Sequence, residues 1–140
     1  MRLVVVPVIR DRQGRVLLCR MSADRGVFPG QWGLPGGGVE AEETIEEALR
    51  RETREELGAE LLEVRPLTFR DARLEKLLPD GSRRQLYMVL LLYECTVASG
   101  ELALNVELSA AEWVELGELA RFDLNPLTVE TFRSLGWLAA

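Results

Sequence analysis

The spacing of apolar residues changes several times along this chain, and each change marks an element. "LVVVPVI" at 3–9 is almost continuously apolar and predicts a buried strand, with Pro7 marking a sheet edge or a bulge. The turn signal "DRQG" (11–14) leads into "RVLLCRM" (15–21), a second strand. Residues 22–40 lose all periodicity. Six glycines and two prolines there predict a loop, with short strand pieces around 32–34 and 38–40. A helical period covers 42–57 and stops at Gly58, which suits the C′ position. Residues 62–78 and 83–97 predict a hairpin turning at "PDGS". Its second strand is apolar on both faces, Tyr87, Val89 and Leu91 on one and Met88, Leu90 and Leu92 on the other. That predicts a central strand covered on both sides, with Tyr87 in the core. "EWVEL" (112–116) predicts a short strand. "NPLTVETFRSLGWL" (125–138) predicts a helix capped by Asn125, with Pro126 at its first position. The sum is an α+β domain, layered α/β/α around a mixed β-sheet. A chain of 140 residues suffices for one domain with a real core and not for two, so 1–140 is read as one domain.

The helix carries an anomaly. Ile45, Ala48 and Leu49 mark its apolar stripe, and the same spacing continued falls on Glu52, Glu55 and Glu56. One face therefore begins apolar and ends acidic. A solvated face with i,i+4 ion pairs explains Glu46 with Arg50 and Glu47 with Arg51. It does not explain three carboxylates that continue a packed face. Like charges brought together out of water raise one another's pKa unless something positive sits among them. A divalent cation answers this, and an all-oxygen ligand set selects Mg²⁺, with Mn²⁺ as the alternative.

Composition narrows the chemistry further. There is no histidine, which removes Ser-His-Asp and Cys-His catalysis and every imidazole zinc site. The net charge of −6 argues against a nucleic-acid polymer as partner. Ten of the 23 acids lie within 40–63, so a small anionic ligand there needs a metal between itself and the protein. No apolar run is long enough to span a membrane, and the N-terminal run is too short for a signal peptide. Cys19 and Cys95 sit in apolar strands and read as buried free thiols of a cytoplasmic protein.

Upstream of the helix, "LPGGGVE" has more glycine than one turn needs, which lets backbone approach a ligand closely. No Gly-Lys-Ser/Thr follows, so it is not a P-loop. The combined spacing is Gly37, five residues, Glu43, seven residues, Arg51-Glu52, then Glu55-Glu56 and Gly58. This resembles the Nudix box, G-x5-E-x7-R-E-U-x-E-E-x-G-U, where U is bulky and aliphatic. Every glycine, glutamate and arginine matches; Thr53 and Ala59 depart at two U positions, which look like packing sites. The segments "LLCRMSADRGVFPGQW", "GGGVE", "IEEALRRE" and "FDLNP" are similar to a branch of the family acting on nucleoside triphosphates.

The resemblance implies Mg²⁺-dependent hydrolysis of a small nucleotide, preferably a pyrimidine deoxynucleoside triphosphate (dUTP, dTTP, dCTP), to monophosphate and pyrophosphate. It implies a homodimer. It carries Glu52, Glu55 and Glu56 over as metal ligands, with the Gly37 carbonyl as a fourth. Glu43 is a ligand or a support; on a continuous helix it would lie opposite the three acids, which favours support. Arg51 would orient a glutamate, or else meet substrate phosphate. The general base is Glu52, or a carboxylate from the loop before the "WV" strand, Glu107 or Glu112. Phe28 stacks on a base or anchors its loop, and Asn125 reads the base edge or only caps its helix. Two other readings stand beside this one: hydrolysis of nucleotide sugars or other nucleoside diphosphate derivatives, and a fold that only binds.

Overall fold

The computed structural model describes residues 1–139. Strand β1 (Arg2–Ile9) runs through its centre and pairs in parallel with β6 (Arg83–Val97), Val5 lying beside Leu91. On its other side β1 meets the two-residue β4 (Gly37–Gly38), which pairs only with Val4 and Val5. Pro7 lies past the end of β4, where its missing N–H costs no ladder bond. The long strand β5 (Leu61–Leu77) completes this mixed sheet in the order β4-β1-β6-β5. A second, antiparallel sheet orders β3 (Trp32–Gly33), β2 (Val16–Met21) and β7 (Leu108–Val114). The sequence predicted one mixed sheet; the strands divide into two.

Both β1 and β2 are apolar on each face because each face is covered. Val4, Val6, Val8, Val16 and Leu18 join one core with Met88, Leu90, Leu92 and Phe132. Val5, Ile9, Leu17 and Cys19 join the other with Ala48, Leu49 and Leu57. Helix α1 (Ile45–Leu57) thus covers one side and α2 (Pro126–Ser134) the other, giving the α/β/α layering. Cys19 and Cys95 are buried free thiols, and burial pushes the Cys95 thiol up to about 12. Among the described residues, no helix is long and apolar enough to cross a membrane.

Several boundaries move. Helix α1 starts at Ile45, not 42, because Glu42 takes a left-handed φ of 67° and Thr44 is the N-cap. Glu47 closes a capping box with Thr44, accepting its N–H at 2.9 Å, so the expected Glu47–Arg51 pair does not form. Glu46 does pair with Arg50, at 3.2 Å. Helix α2 ends at Ser134 rather than 138; Gly136 turns at φ 77°, and the Trp137 N–H returns to the Phe132 carbonyl at 2.8 Å. The strand expected over 112–116 is displaced to Leu108–Val114, and a 3₁₀ turn over Leu116–Arg121 follows it. Tyr87 is not core. It faces away from Met88 and Leu90, donates to Asp71 at 2.9 Å and lies under Arg73 at 4.4 Å.

Candidate active site

Helix α1 is held where its acidic end can act. Ala48, Leu49 and Leu57 are fully buried beneath it. Thr53, a departure from the bulky residue of the Nudix box, is also buried, and its hydroxyl donates back to the Leu49 carbonyl at 2.7 Å. Ala59 is buried at 6% exposure, filling the other departure. Gly58 ends the helix at φ 62°, and the next loop folds against that end, Asn105 N–H meeting the Glu56 carbonyl at 3.2 Å. This return brings Glu107 to the acids of α1.

The three acids differ in environment. Glu56 is buried, at 7% exposure, Glu52 is half-buried and Glu55 is exposed. The acidic face thus turns progressively outward rather than wholly inward. Glu56 accepts the Gly36 N–H at 3.0 Å through Oε1, leaving Oε2 for a further partner. Burial, with Glu52, Glu107 and Glu55 nearby, pushes its carboxyl up to about 8. Glu52 is also raised, mainly by burial, against the opposing pull of Arg51 and Arg2.

Arg51 is the hub of this end. Its Nε and Nη2 grip both oxygens of Glu43 at 2.6 and 2.9 Å, Nη2 also donates to the Gly38 carbonyl at 2.9 Å, and Nη1 reaches Glu52 at 2.8 Å and Glu55 at 3.2 Å. Arg51 holds the Glu43 carboxyl down at about 2, and Glu43 also accepts the Glu40 N–H. The expectation that Glu43 lies on the helix face opposite the acids fails in its premise. Glu43 precedes the helix and folds back onto Arg51.

The glycine run is explained residue by residue. A Cβ at Gly36 would lie 2.5 Å from the Val5 carbonyl, at Gly37 2.3 Å from the Glu52 carboxylate, and at Gly38 2.8 Å from the Arg2 guanidinium. Backbone and side chains of opposite charge thus crowd one short strand. The oxygen donors, and the seat that Gly37 makes for Glu52, suit a hard divalent cation. Among the described residues no three acids converge on one point. Like charges so close turn to the nearest cation, and for Glu52 and Glu55 that is Arg51.

These groups border a cleft of about 330 Å³. Gly37, Glu52, Glu55, Glu56 and Glu107 line it, as do Phe28 and Asn125. Glu43 and Arg51 stand behind that lining. Glu112 is remote, on β7 beside Arg15 and Glu118. Much of the remaining lining is apolar, including Val6, Leu34, Leu92 and Leu127. Asn125 does cap α2, its Oδ1 accepting the Thr128 N–H at 2.8 Å. Its Nδ2 lies over Gly33, where a Cβ would come within 2.2 Å, and remains available to the cleft. Sequence reasoning did not single out Arg2, Arg25 and Lys76, which also line it.

The layered fold and a cleft bordered by the box acids define a hydrolase class: the NUDIX domain family matches residues 1–135, and the chain belongs to it. Nucleoside triphosphatase NudI of Escherichia coli O139:H28 (strain E24377A / ETEC) is 48% identical over 139 residues, 98% of each chain. The protein of the same name from Klebsiella pneumoniae (strain 342) is 47% identical over the same span. Among solved structures, the MutT NUDIX hydrolase of Burkholderia pseudomallei is 30% identical, with a TM-score of 0.74 over 94% of this chain and 95% of that one. The NUDIX domain of Shewanella oneidensis NrtR, solved with ADP ribose, shares the fold at 20% identity and a TM-score of 0.73, over 97% of this chain and 86% of that one.

Proposed function

We propose that the chain, as one Nudix domain, hydrolyses nucleoside triphosphates to monophosphate and pyrophosphate, with Mg²⁺ or Mn²⁺, preferring dUTP, dTTP and dCTP. The observation that carries this reading is one cleft lined by both the box carboxylates and apolar residues, with an aromatic ring, Phe28, and an amide, Asn125, in the same lining. The 48% identity to a nucleoside triphosphatase supports the substrate class.

Glu52, Glu55, Glu56 and the Gly37 carbonyl would hold the cation, which supplies charge neutralisation for the phosphates and an activated water for in-line attack on phosphorus. Glu56 is kept in position by the Gly36 N–H, and its carboxyl would have to be ionised to serve as a ligand. Arg51, itself fixed by Glu43, orients Glu52 and Glu55. With both of its edges already occupied, Arg51 is a positioning residue and not a phosphate ligand. Glu107 accepts the proton from the attacking water, because it faces the same cleft beside Glu56 while Glu112 does not. Phe28 stacks on the base. Asn125 donates Nδ2 to a base carbonyl, which pyrimidines present at the ring edge. The reading carries with it a cytoplasmic homodimer whose partner is a small nucleotide, with no nucleic-acid polymer and no membrane.

A panel of nucleoside triphosphates and nucleotide sugars, followed by pyrophosphate release with Mg²⁺, tests this. The fastest release is expected from dUTP, dTTP or dCTP. Faster turnover of a purine nucleotide or a nucleotide sugar would remove the claim of specificity.

A further inference from the structure

We propose that Arg2, Lys76 and Arg25 form the subsite that grips the phosphates away from the metal-binding acids, so that the cleft selects polyphosphates by charge. This rests on the polyphosphate reading above and adds the residues that enforce it. The chain is acidic overall, at net −6, so cations gathered on one cleft need a reason.

Arg2 opens β1 and is seated on Gly38, at a spot where a Cβ would clash with its guanidinium at 2.8 Å. It lies close enough for its charge to reach Glu52. Lys76 lies on the same face of the mixed sheet as Arg2, on β5, with β6 between it and β1. Gly26 and Leu77 exchange both backbone hydrogen bonds, at 2.8 and 2.7 Å, in an isolated antiparallel bridge. This clamp ties the end of β5 to the 22–31 loop and sets Val27 opposite Lys76, with Arg25 one step away on the same face. All three line the cleft. Among the described residues, neither Arg2 nor Lys76 is in an ion pair, while Arg25 meets only its neighbour Asp24, at 3.3 Å.

Two cations without a partner, on one face of the sheet beside carboxylates, are arranged to receive an anion too large for the acids' end alone. Arg51 cannot serve, since five of its contacts are internal. A chain of phosphates bridging the acids' cation and this wall would meet positive charge along its length. A substrate with a neutral group in place of the terminal phosphate would leave the wall unused.

The test is the double substitution Arg2→Gln with Lys76→Gln, read in two ways. Steady-state kinetics on a nucleoside triphosphate should show KM raised tenfold or more, with kcat within threefold and the Mg²⁺ activation curve unmoved. Calorimetry with Mg²⁺ and inorganic tripolyphosphate should show binding weakened by the same factor. Arg2→Lys should recover most of the affinity, and thermal melts should match the parent. Unchanged KM and tripolyphosphate affinity would overturn the proposal. So would a shift in the Mg²⁺ curve alone, which would make Arg2 a support for Glu52. A parent protein that binds tripolyphosphate through these cations yet turns over no nucleoside triphosphate would instead overturn the proposed activity and leave the subsite standing.

Discussion

Arg51 holds Glu43 through two nitrogens, at 2.6 and 2.9 Å, and with the same guanidinium reaches Glu52 at 2.8 Å. The rigid fork of arginine makes this possible, and a lysine ammonium cannot reproduce it. Arg51→Lys and Glu43→Gln should each lower activity or Mg²⁺ affinity about 10- to 100-fold, the range for groups that orient metal ligands. A Mg²⁺ titration of initial rate measures this. Glu43 is held down at about 2, so the pairing's contribution to stability is present above the ordinary value of 4.5 and is lost as pH falls through about 2.

Glu56→Gln separates stability from catalysis. The amide oxygen can still accept the Gly36 N–H, and the buried charge is gone. Turnover should fall by about a thousandfold or more, the scale of losing a ligand in a metal-centred displacement. The melting temperature without metal should hold or rise at pH 9. Normal turnover would remove Glu56 from the metal set.

With its carboxyl at about 8 rather than 4.5, Glu56 is protonated in the folded protein over a range where the unfolded chain has already lost that proton. The native state then binds more protons, so stability without metal is fully favoured below pH 4.5 and declines as pH rises through 8. Metal must displace the proton. Mg²⁺ affinity should therefore climb up to about tenfold per pH unit below 8 and level off above it. Calorimetry in two buffers of different ionisation enthalpy would report the released proton.

Asn125 caps α2 through Oδ1 and also lines the cleft, and two substitutions separate the cap from the proposed contact with the base. Asn125→Asp keeps the cap and removes the Nδ2 donor, so the fold should stay stable while base preference weakens. Asn125→Ala removes both and should also cost about 1 kcal/mol of stability. Melting curves beside kcat/KM for pyrimidine and purine substrates distinguish the pair.

Glu107→Gln should lower kcat about 10²- to 10⁴-fold with little change in KM, as expected for loss of a general base. Glu112→Gln, away from the cleft, should match the parent. Equal rates in both variants would return the base to Glu52.

The acids of α1 were legible in the sequence because helical spacing is local. Three glutamates that continue an apolar stripe declare themselves without a structure. The start of α1 was not, since Glu42 and Glu43 have helical composition, and only the left-handed turn at Glu42 and the Thr44 cap exclude them. Tyr87 was misread because a strand apolar on both faces need not be covered equally on both, and α1 covers only part of one. Arg2, Arg25 and Lys76 were invisible for another reason. They come from three separate segments, and only the β1–β6–β5 order and the Gly26–Leu77 bridge bring them to one cleft.

The parallel pairing of β1 with β6 also has a consequence for how the protein is made. β1 leaves the ribosome long before the strand beside which it must lie, with Val5 waiting for Leu91. Contacts so distant in sequence slow folding. Through that interval the valine run of β1, apolar on both faces, has no sheet to join. Arg2 and the β4 glycines, which depend on β1 for their positions, have no cleft to shape. The acids of α1 can form their helix early, but their surroundings are assembled only when the second half of the chain arrives.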